Sequence, residues 1–208
     1  MDENGFIARL VKTLQTQLPG VQAHHRVMSY IRMTPDEALA TGKNPRQSAV
    51  LILLFPENDG WHFVLTRRKK YEGVHSNQIS LPGGKFEVND VDLQRTALRE
   101  TQEEIGVNAS SIAVIGKLTP LYIPPSNFIV HPYVGYVDVK PDFIEEEKEV
   151  EEIVLEQVSR LLEEDVVKKT KVKVGQNLTM QVPYFDLKGH VVWGATAMVL
   201  SEFREIIE

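Results

Sequence analysis

The sequence predicts an α+β fold, a sandwich built around a mixed β-sheet. Segments with helical and strand patterns follow one another without the regular βαβ alternation that a doubly wound parallel sheet requires. The chain has 208 residues, of which 42% are hydrophobic, so it can bury a core of its own. Its length is close to that of one domain, and no linker divides it.

An N-terminal extension is predicted for residues 1–46, packed on a single domain that residues 47–208 form. Phe6, Leu10 and Leu14 recur at helical spacing, which indicates an opening helix. The rest of the extension contains several Pro and Gly residues and is expected to be irregular.

A hairpin opens the domain. The apolar run "SAVLILLFP" (48–56) predicts a buried strand, and "WHFVLTRR" (61–68) predicts its partner. The intervening "ENDG" predicts a tight turn, because Asp-Gly accommodates the positive φ angles that such turns need. "NQISLP" (77–82) predicts a third, short strand.

The following elements alternate between helix and strand. A helix is predicted from about Asp90 to Ile105, with Gly106 as its cap. Two strands, "SIAVIGKL" and "FIVHPYVGYVDV", flank a Pro-rich loop, "TPLYIPPSN". A strand and a helix are predicted in "IVLEQVSRLLEE", a hairpin in "VVKKTKVKV" and "LTMQVPYFDL", and an amphipathic helix in "ATAMVLSEFREII".

Composition excludes several classes of protein. The net charge of -6 argues against a generally basic nucleic-acid binder. The lack of cysteine excludes disulfides and thiolate metal sites. The histidines show no i, i+4 pair or other spacing typical of zinc sites. No signal peptide or membrane-spanning run is found, so we expect a cytoplasmic protein that binds neither nucleic acid nor membrane.

One face of the helix predicted at 90–105 concentrates negative charge. Glu100, Glu103 and Glu104 fall within an arc of roughly 100° at the edge of the apolar stripe, where like charges repel one another. One interpretation is an ordinary solvated acidic surface. The other is a site for a hard divalent cation such as Mg²⁺ or Mn²⁺, which carboxylate oxygens bind well. Arg99 could hold one carboxylate, and Gly84 lies in a turn that could offer a backbone carbonyl.

The motif "RETQEEIGV" (99–107) resembles the core of the Nudix box, G-x5-E-x7-R-E-U-x-E-E-x-G-U, where U is aliphatic. Thr101 replaces one aliphatic residue, and one extra residue separates Gly84 from Arg99, so that Asp90 is a shifted counterpart of the upstream Glu. The resemblance implies a Nudix-type α/β/α sandwich. It also implies a set of metal ligands, namely Gly84, Glu100, Glu103 and Glu104.

The extra residue, and the segment before it, are similar to the coenzyme A pyrophosphatase branch of the family. In "VLTRRKKYEGVHSNQISLPGG" the positions of Thr66, Arg68, His75 and Ile79 match that branch, whereas four others depart. The resemblance implies substrate-binding roles for Arg68 and His75. Alternatively, the basic cluster that contains Arg68 only deters edge pairing of a strand, and His75 is structural. The similarity extends to about Pro132 and resumes near "WGATAMVLSEF".

Two later segments are candidates for completing the site. Tyr122, in the stiff loop "LYIPPSNF", could flank a base or a pantetheine arm, unless the loop is only a connection. Glu149, in the acidic run "EKEVEEIVLE", matches the branch and could be a ligand or general base, unless the run is solvated surface.

The expected activity is metal-dependent hydrolysis of the pyrophosphate bond of coenzyme A or its derivatives, with Glu103, Glu104, Arg99 and Glu149 as catalytic residues. The resemblance implies 3′,5′-ADP and 4′-phosphopantetheine, or its acyl form, as products. The alternatives are another nucleoside diphosphate derivative, such as ADP-ribose or a dinucleotide, and a nucleotide-binding protein without turnover. A homodimer is left open.

Overall fold

A 12-residue strand, β1, organises the fold. The computed structural model describes residues 3–69, 78–174 and 178–208. The helices are α1 (Glu3–Leu14), α2 (Val21–His25), α3 (Pro35–Ala40), α4 (Leu93–Ile105) and α5 (Gly194–Ile207). The strands are β1 (Arg46–Glu57), β2 (Gly60–Arg68), β3 (Ile79–Ser80), β4 (Gly83–Lys85), β5 (Ala113–Lys117), β6 (Leu121–Ile123), β7 (Phe128–Tyr136), β8 (Val150–Gln157), β9 (Val167–Val174), β10 (Leu178–Leu187) and β11 (His190–Val192). Short 3₁₀ turns cover Ala109–Ser111 and Val158–Leu162.

The main sheet is mixed. β1 pairs in parallel with β7 and antiparallel with β2 and β4. β3 and β8 pair with opposite edges of β2, whereas β5 and β6 pair with β7. β9, β10 and β11 form a separate antiparallel sheet of three strands. This arrangement confirms the mixed sheet that was predicted from the sequence.

The two faces of β1 pack against different layers. Ile52 and Leu54 belong to one buried cluster with residues of α1 and α5, whereas Leu51 and Leu53 belong to a second cluster with residues of α4. Because successive side chains of a strand point to opposite faces, one apolar strand supplies both cores. The described chain is therefore an α/β/α sandwich.

Three local predictions differ from the structure. The extension is not wholly irregular, since α2 and α3 lie within it, and α3 begins with a Thr34–Glu37 capping box. The Pro-rich loop contains β6, which pairs with the start of β7. The helix predicted after β8 is only the 3₁₀ turn Val158–Leu162. No helix in the described ranges is both long and apolar enough to cross a membrane.

Glu202 of α5 fastens the N-terminal extension to the rest of the chain. Its carboxylate is fully buried and accepts hydrogen bonds from the backbone N–H groups of Gly20 (3.1 Å) and Thr119 (3.1 Å). The Thr119 hydroxyl donates to it at 2.7 Å, and His24 Nε2 lies 3.1 Å away. Burial raises the pKa of Glu202, but the hydrogen bonds from His24 and Thr119 outweigh burial and leave the pKa lowered.

We expect Glu202→Gln to reduce the free energy of unfolding by about 3 kcal/mol, because the amide would direct a donor at groups that are themselves donors. Urea unfolding measures this loss. Glu208→Gln, on the exposed end of the same helix, is the control and should change stability by less than about 0.5 kcal/mol. Equal stability of the two variants would contradict the role given to Glu202.

Candidate active site

The turn into β4 brings the backbone against both β1 and α4. Gly83 has φ +152°, and a Cβ placed there would lie 2.3 Å from the carbonyl oxygen of Ala49 on β1. A Cβ on Gly84 would lie 2.4 Å from the carboxyl carbon of Glu100 on α4. Gly83 therefore has to be glycine because of the β1 backbone, whereas a side chain at Gly84 would displace the carboxylate of Glu100.

Capping residues define both ends of helix α4. Asp92 caps its start, where its side chain accepts from the backbone N–H of Arg95 at 2.8 Å, and Gly106 ends it in the left-handed conformation. Thr101, which replaces an aliphatic residue of the motif, is fully buried and donates its hydroxyl to the carbonyl of Ala97 at 2.7 Å. The hydroxyl is thereby satisfied within the helix, so threonine fits this apolar position.

Arg99 gathers the acidic residues around one guanidinium group. Its Nε and Nη2 bind the two carboxylate oxygens of Asp90 at 2.9 and 3.1 Å. Its Nη1 lies 2.9 Å from Glu103 and 3.0 Å from Glu100, and Nη2 also donates to the carbonyl of Lys85. Arg99 therefore ties the turn after β4 to the acidic face of α4.

Asp90 is a site residue to which the sequence assigned no role. It is 8% exposed, and besides Arg99 it accepts from the hydroxyl of Thr96 at 2.9 Å and the backbone N–H of Glu87 at 3.0 Å. The hydrogen bonds from Arg99 lower the pKa of Asp90 from 3.8 to about 2. The signal that pointed to it was its place as the shifted counterpart of the upstream Glu of the motif.

Glu104 is the most deeply placed acid of the cluster, with 3% of its surface exposed. It accepts from the backbone N–H of Gly83 at 3.2 Å and from Arg68 Nη2 at 3.4 Å. Burial raises the pKa of Glu104 to about 7 although Arg68 and Gly83 oppose the shift, and the charges of Glu100 and Glu149 add to it. Burial likewise raises the pKa of Glu100.

Glu149 lies close enough to raise the pKa of both Glu100 and Glu104, although it comes from the distant loop before β8. That loop is attached to the end of α4, since the backbone N–H of Glu146 donates to the carbonyl of Glu104 at 3.1 Å. It is also attached to the end of β2, where the N–H of Lys69 donates to the carbonyl of Glu149 at 2.9 Å. The Glu149 side chain itself is exposed.

Of the three residues predicted to bind substrate, the structure describes Arg68 and Tyr122, which lie in different surroundings. Arg68 reaches into the acidic cluster and also donates to the carbonyl of Gly83 at 3.2 Å, so here it neutralises Glu104. Tyr122 is 2% exposed and donates its hydroxyl to Asn127 at 2.9 Å, so its ring belongs to the interior. We therefore leave Tyr122 out of the proposed substrate contacts. His75 lies outside the described residues.

The donor set fits a hard divalent cation. Glu100, Glu103 and Glu104 pair with Arg68 or Arg99, and Glu149 lies near enough to act on Glu100 and Glu104, although no three of these carboxylates hold ligand atoms within 4.8 Å of one another. The raised pKa values of Glu100 and Glu104 reflect burial together with unrelieved repulsion among the acids. A bound divalent ion would offset both the burial of these carboxylates and the repulsion among them. Rotation of the side chains away from Arg68 and Arg99 would free their oxygens to bind the ion.

Comparison with known proteins identifies the family. A family model described as the NUDIX domain matches residues 45–177. The chain belongs to the Nudix family. A protein of Yersinia pestis named "Uncharacterized Nudix hydrolase NudL" is 34% identical over 211 residues, which cover 96% of this chain and 94% of that protein. The predicted Nudix fold is thereby confirmed.

Plant members of the Nudix family are longer. "Nudix hydrolase 15, mitochondrial" of Arabidopsis thaliana is 34% identical over 163 residues, 75% of this chain and 56% of that protein. "Nudix hydrolase 22, chloroplastic" of the same plant is 34% identical over 169 residues, 78% of this chain and 56% of that protein. The chain thus spans little more than half the length of these plant relatives.

Solved structures share the Nudix fold at low sequence identity. The Nudix hydrolase RenU of M. smegmatis has a TM-score of 0.56 at 14% identity and covers 78% of this chain and 85% of its own. A MutT/nudix family protein of Enterococcus faecalis has a TM-score of 0.52 at 15% identity and covers 90% of this chain and 68% of its own. These similarities concern the fold alone.

The two glycines of the turn should respond differently to alanine. Gly83→Ala meets the backbone of β1 at a positive φ, so the free energy of unfolding should fall by about 2 kcal/mol or more. Gly84→Ala meets only the movable end of Glu100, so stability should change by less than about 1 kcal/mol, whereas Mn²⁺ should bind about tenfold more weakly. Urea unfolding and Mn²⁺ electron paramagnetic resonance test this pair, and unchanged Mn²⁺ affinity in Gly84→Ala would refute it.

The Asp90–Arg99 pair should contribute stability that depends on pH. Because the pKa of Asp90 is lowered from 3.8 to about 2, its contribution is complete above 3.8 and is lost as the pH falls through about 2. Asp90→Asn should therefore lower the melting temperature near neutral pH, and its difference from the parent should shrink towards pH 2. Asp138→Asn, an exposed control, should show little difference at any pH. A difference for Asp90→Asn that stays constant with pH would count against the pair.

Proposed function

We propose that this chain hydrolyses the pyrophosphate bond of coenzyme A or its acyl derivatives with the help of Mg²⁺ or Mn²⁺. The products would be 3′,5′-ADP and 4′-phosphopantetheine, or its acyl form. The observation that carries the proposal is that Glu100 and Glu104 lie against the Gly83–Gly84 turn, with Glu103 and Glu149 nearby, in a member of the Nudix family.

The metal-binding part of the proposal assigns Glu100, Glu103, Glu104 and the carbonyl of Gly84 as ligands. When bound, the divalent ions would stabilise charge on the phosphate oxygens and lower the pKa of the attacking water. Glu104 has a pKa of about 7, so it would release a proton when it becomes a ligand, and ion affinity should rise with pH through this range. Arg99 would keep the carboxylates of α4 oriented towards the turn.

Glu149 is the proposed general base. Its side chain is exposed and lies near the buried acids, so it could accept a proton from a water molecule at the mouth of the site. A new P–O bond would form from that water to one phosphorus, and the bridging oxygen would leave on the other phosphate. A carboxylate of α4 is the alternative base, and kinetics of variants would separate the two.

The support for coenzyme A is the segment from Thr66 to Gly84, which resembles the coenzyme A pyrophosphatase branch. ADP-ribose or a dinucleotide also contains a pyrophosphate bond and is the second candidate.

The purified chain should form 3′,5′-ADP from coenzyme A when Mg²⁺ or Mn²⁺ is present, and a chelator should abolish the reaction. Glu103→Gln should lower kcat by about 100-fold or more without unfolding the protein. Glu149→Gln should lower kcat with little change in KM, whereas Glu147→Gln, an exposed acid two residues earlier, is the matched control. Products are separated by chromatography.

Each outcome of this assay is informative. Fast cleavage of ADP-ribose with no 3′,5′-ADP from coenzyme A would replace the substrate but keep the chemistry. Nucleotide binding without turnover of any pyrophosphate would indicate a binding protein. Full activity in chelator would contradict the metal role, and equal kcat values for Glu149→Gln and the parent would move the base to α4.

A further inference from the structure

A second group of potential metal ligands lies at the opposite end of β1 from the acidic cluster. Glu57, Asp59 and His62 each direct one ligand atom into a common gap, and these three atoms lie within 4.8 Å of one another. In the part of the chain that the structure describes, no other set of three His, Asp or Glu residues converges in this way. Eight residues of extended strand, roughly 26 Å, separate Glu57 from Ala49 beside the Gly83–Gly84 turn.

The β1–β2 hairpin builds this group. Glu57 pairs with Gly60 across a two-residue turn, so that Asp59 lies at the tip and His62 lies two residues along β2. His62 is 5% exposed and stacks on Phe55, with ring centroids 5.7 Å apart. The imidazole is therefore fixed beneath the turn, whereas Asp59, whose side chain is 60% exposed, leaves the gap open to solvent.

The protonation of His62 follows from its backbone contact. Its Nδ1 lies 3.1 Å from the carbonyl oxygen of Gly60, which can only accept a hydrogen bond, so Nδ1 carries the proton. Nε2 then faces Oε2 of Glu57 at 3.5 Å and Oδ1 of Asp59 at 3.6 Å. With Nε2 unprotonated, three electron-pair donors face one gap, and a cation there would offset the repulsion among them.

The distances are compatible with a metal ion in the gap. Two ligand atoms bonded at about 2.1 Å to one tetrahedral ion lie about 3.4 Å apart, which is close to the observed 3.5 and 3.6 Å.

Every ligand also has a partner that orients it. The second oxygen of Glu57 pairs with Lys140, the second oxygen of Asp59 accepts from Gln157 of β8, and the second nitrogen of His62 donates to Gly60. Metal-binding histidines and carboxylates usually have such outer partners, which leave the other atom free for the ion. Each of the three residues therefore keeps one ligand atom directed at the gap.

We propose that Glu57, Asp59 and His62 bind one transition-metal ion, with Zn²⁺ as the preferred ion, at a site separate from the acidic cluster of α4. The imidazole nitrogen favours Zn²⁺ over Mg²⁺ and Ca²⁺, which prefer oxygen ligands alone. Three protein ligands leave a fourth position for water. Because Gln157 orients Asp59, the bound ion would stabilise the hairpin against β8.

Equilibrium dialysis of the full chain against Zn²⁺ alone tests this site. The dialysis uses the Glu103→Gln/Glu104→Gln background to weaken binding at α4. One zinc ion per chain should bind in the micromolar range, and zinc should raise the melting temperature. Asp59→Asn should lower the affinity by at least about tenfold. This variant keeps the hairpin, because Asn-Gly favours the same turn as Asp-Gly.

Further variants separate the site from nonspecific binding. His62→Gln should lose the zinc, whereas His25→Gln, an exposed histidine elsewhere, should retain it. In nuclear magnetic resonance spectra the ring signals of His62 should shift when zinc is added. The proposal is overturned if Asp59→Asn and His25→Gln bind zinc equally well, if no zinc binds, or if the His62 signals do not move.

Discussion

The concentration of negative charge on one face of α4 is the constraint on which the rest of the site depends. Glu104 is nearly buried and Glu100 is mostly so, although like charges repel and burial penalises each of them. The chain tolerates this because Arg68 of β2 pairs with Glu104, Arg99 of α4 pairs with Glu100, and the backbone N–H of Gly83 donates to Glu104. These contacts offset the repulsion only in part, because the pKa values of Glu100 and Glu104 are still raised. A bound divalent ion would supply further positive charge.

The fold supplies these partners from distant parts of the sequence. β1 pairs with β2 and β4, so Arg68 at the end of β2 and the glycine turn meet above α4, which packs against β1. The loop before β8 brings Glu149 to the same place by bonding to the end of the helix. The same strand, at its other end, carries the hairpin that holds Glu57 and His62. One buried strand therefore positions two separate groups of carboxylates.

The extra residue between the glycine turn and α4 is accommodated while Arg99 keeps its contacts with Asp90 and Glu103. Asp90 is shorter than the Glu of the usual motif and arrives at a shifted position, yet it binds Arg99 with both oxygens and is itself held by Thr96 and a backbone N–H. The local turn is therefore rebuilt around Asp90, while Arg99 still reaches Glu103. Spacing alone did not reveal this, because hydrogen bonding to Thr96 depends on how the turn folds.

Local sequence patterns predicted the α+β class, the hairpin at Asp59-Gly60, helix α4 with its cap at Gly106, and the acidic motif. These follow from periodicity, turn chemistry and local spacing, which act within a few residues. Four contacts became visible only in the folded chain: Tyr122 is buried, Arg68 pairs with Glu104, Asp90 binds Arg99, and Glu202 binds the extension. These contacts join segments that are far apart in the chain or depend on the path of a turn. Only the packing of the layers, which local patterns do not encode, could fix them.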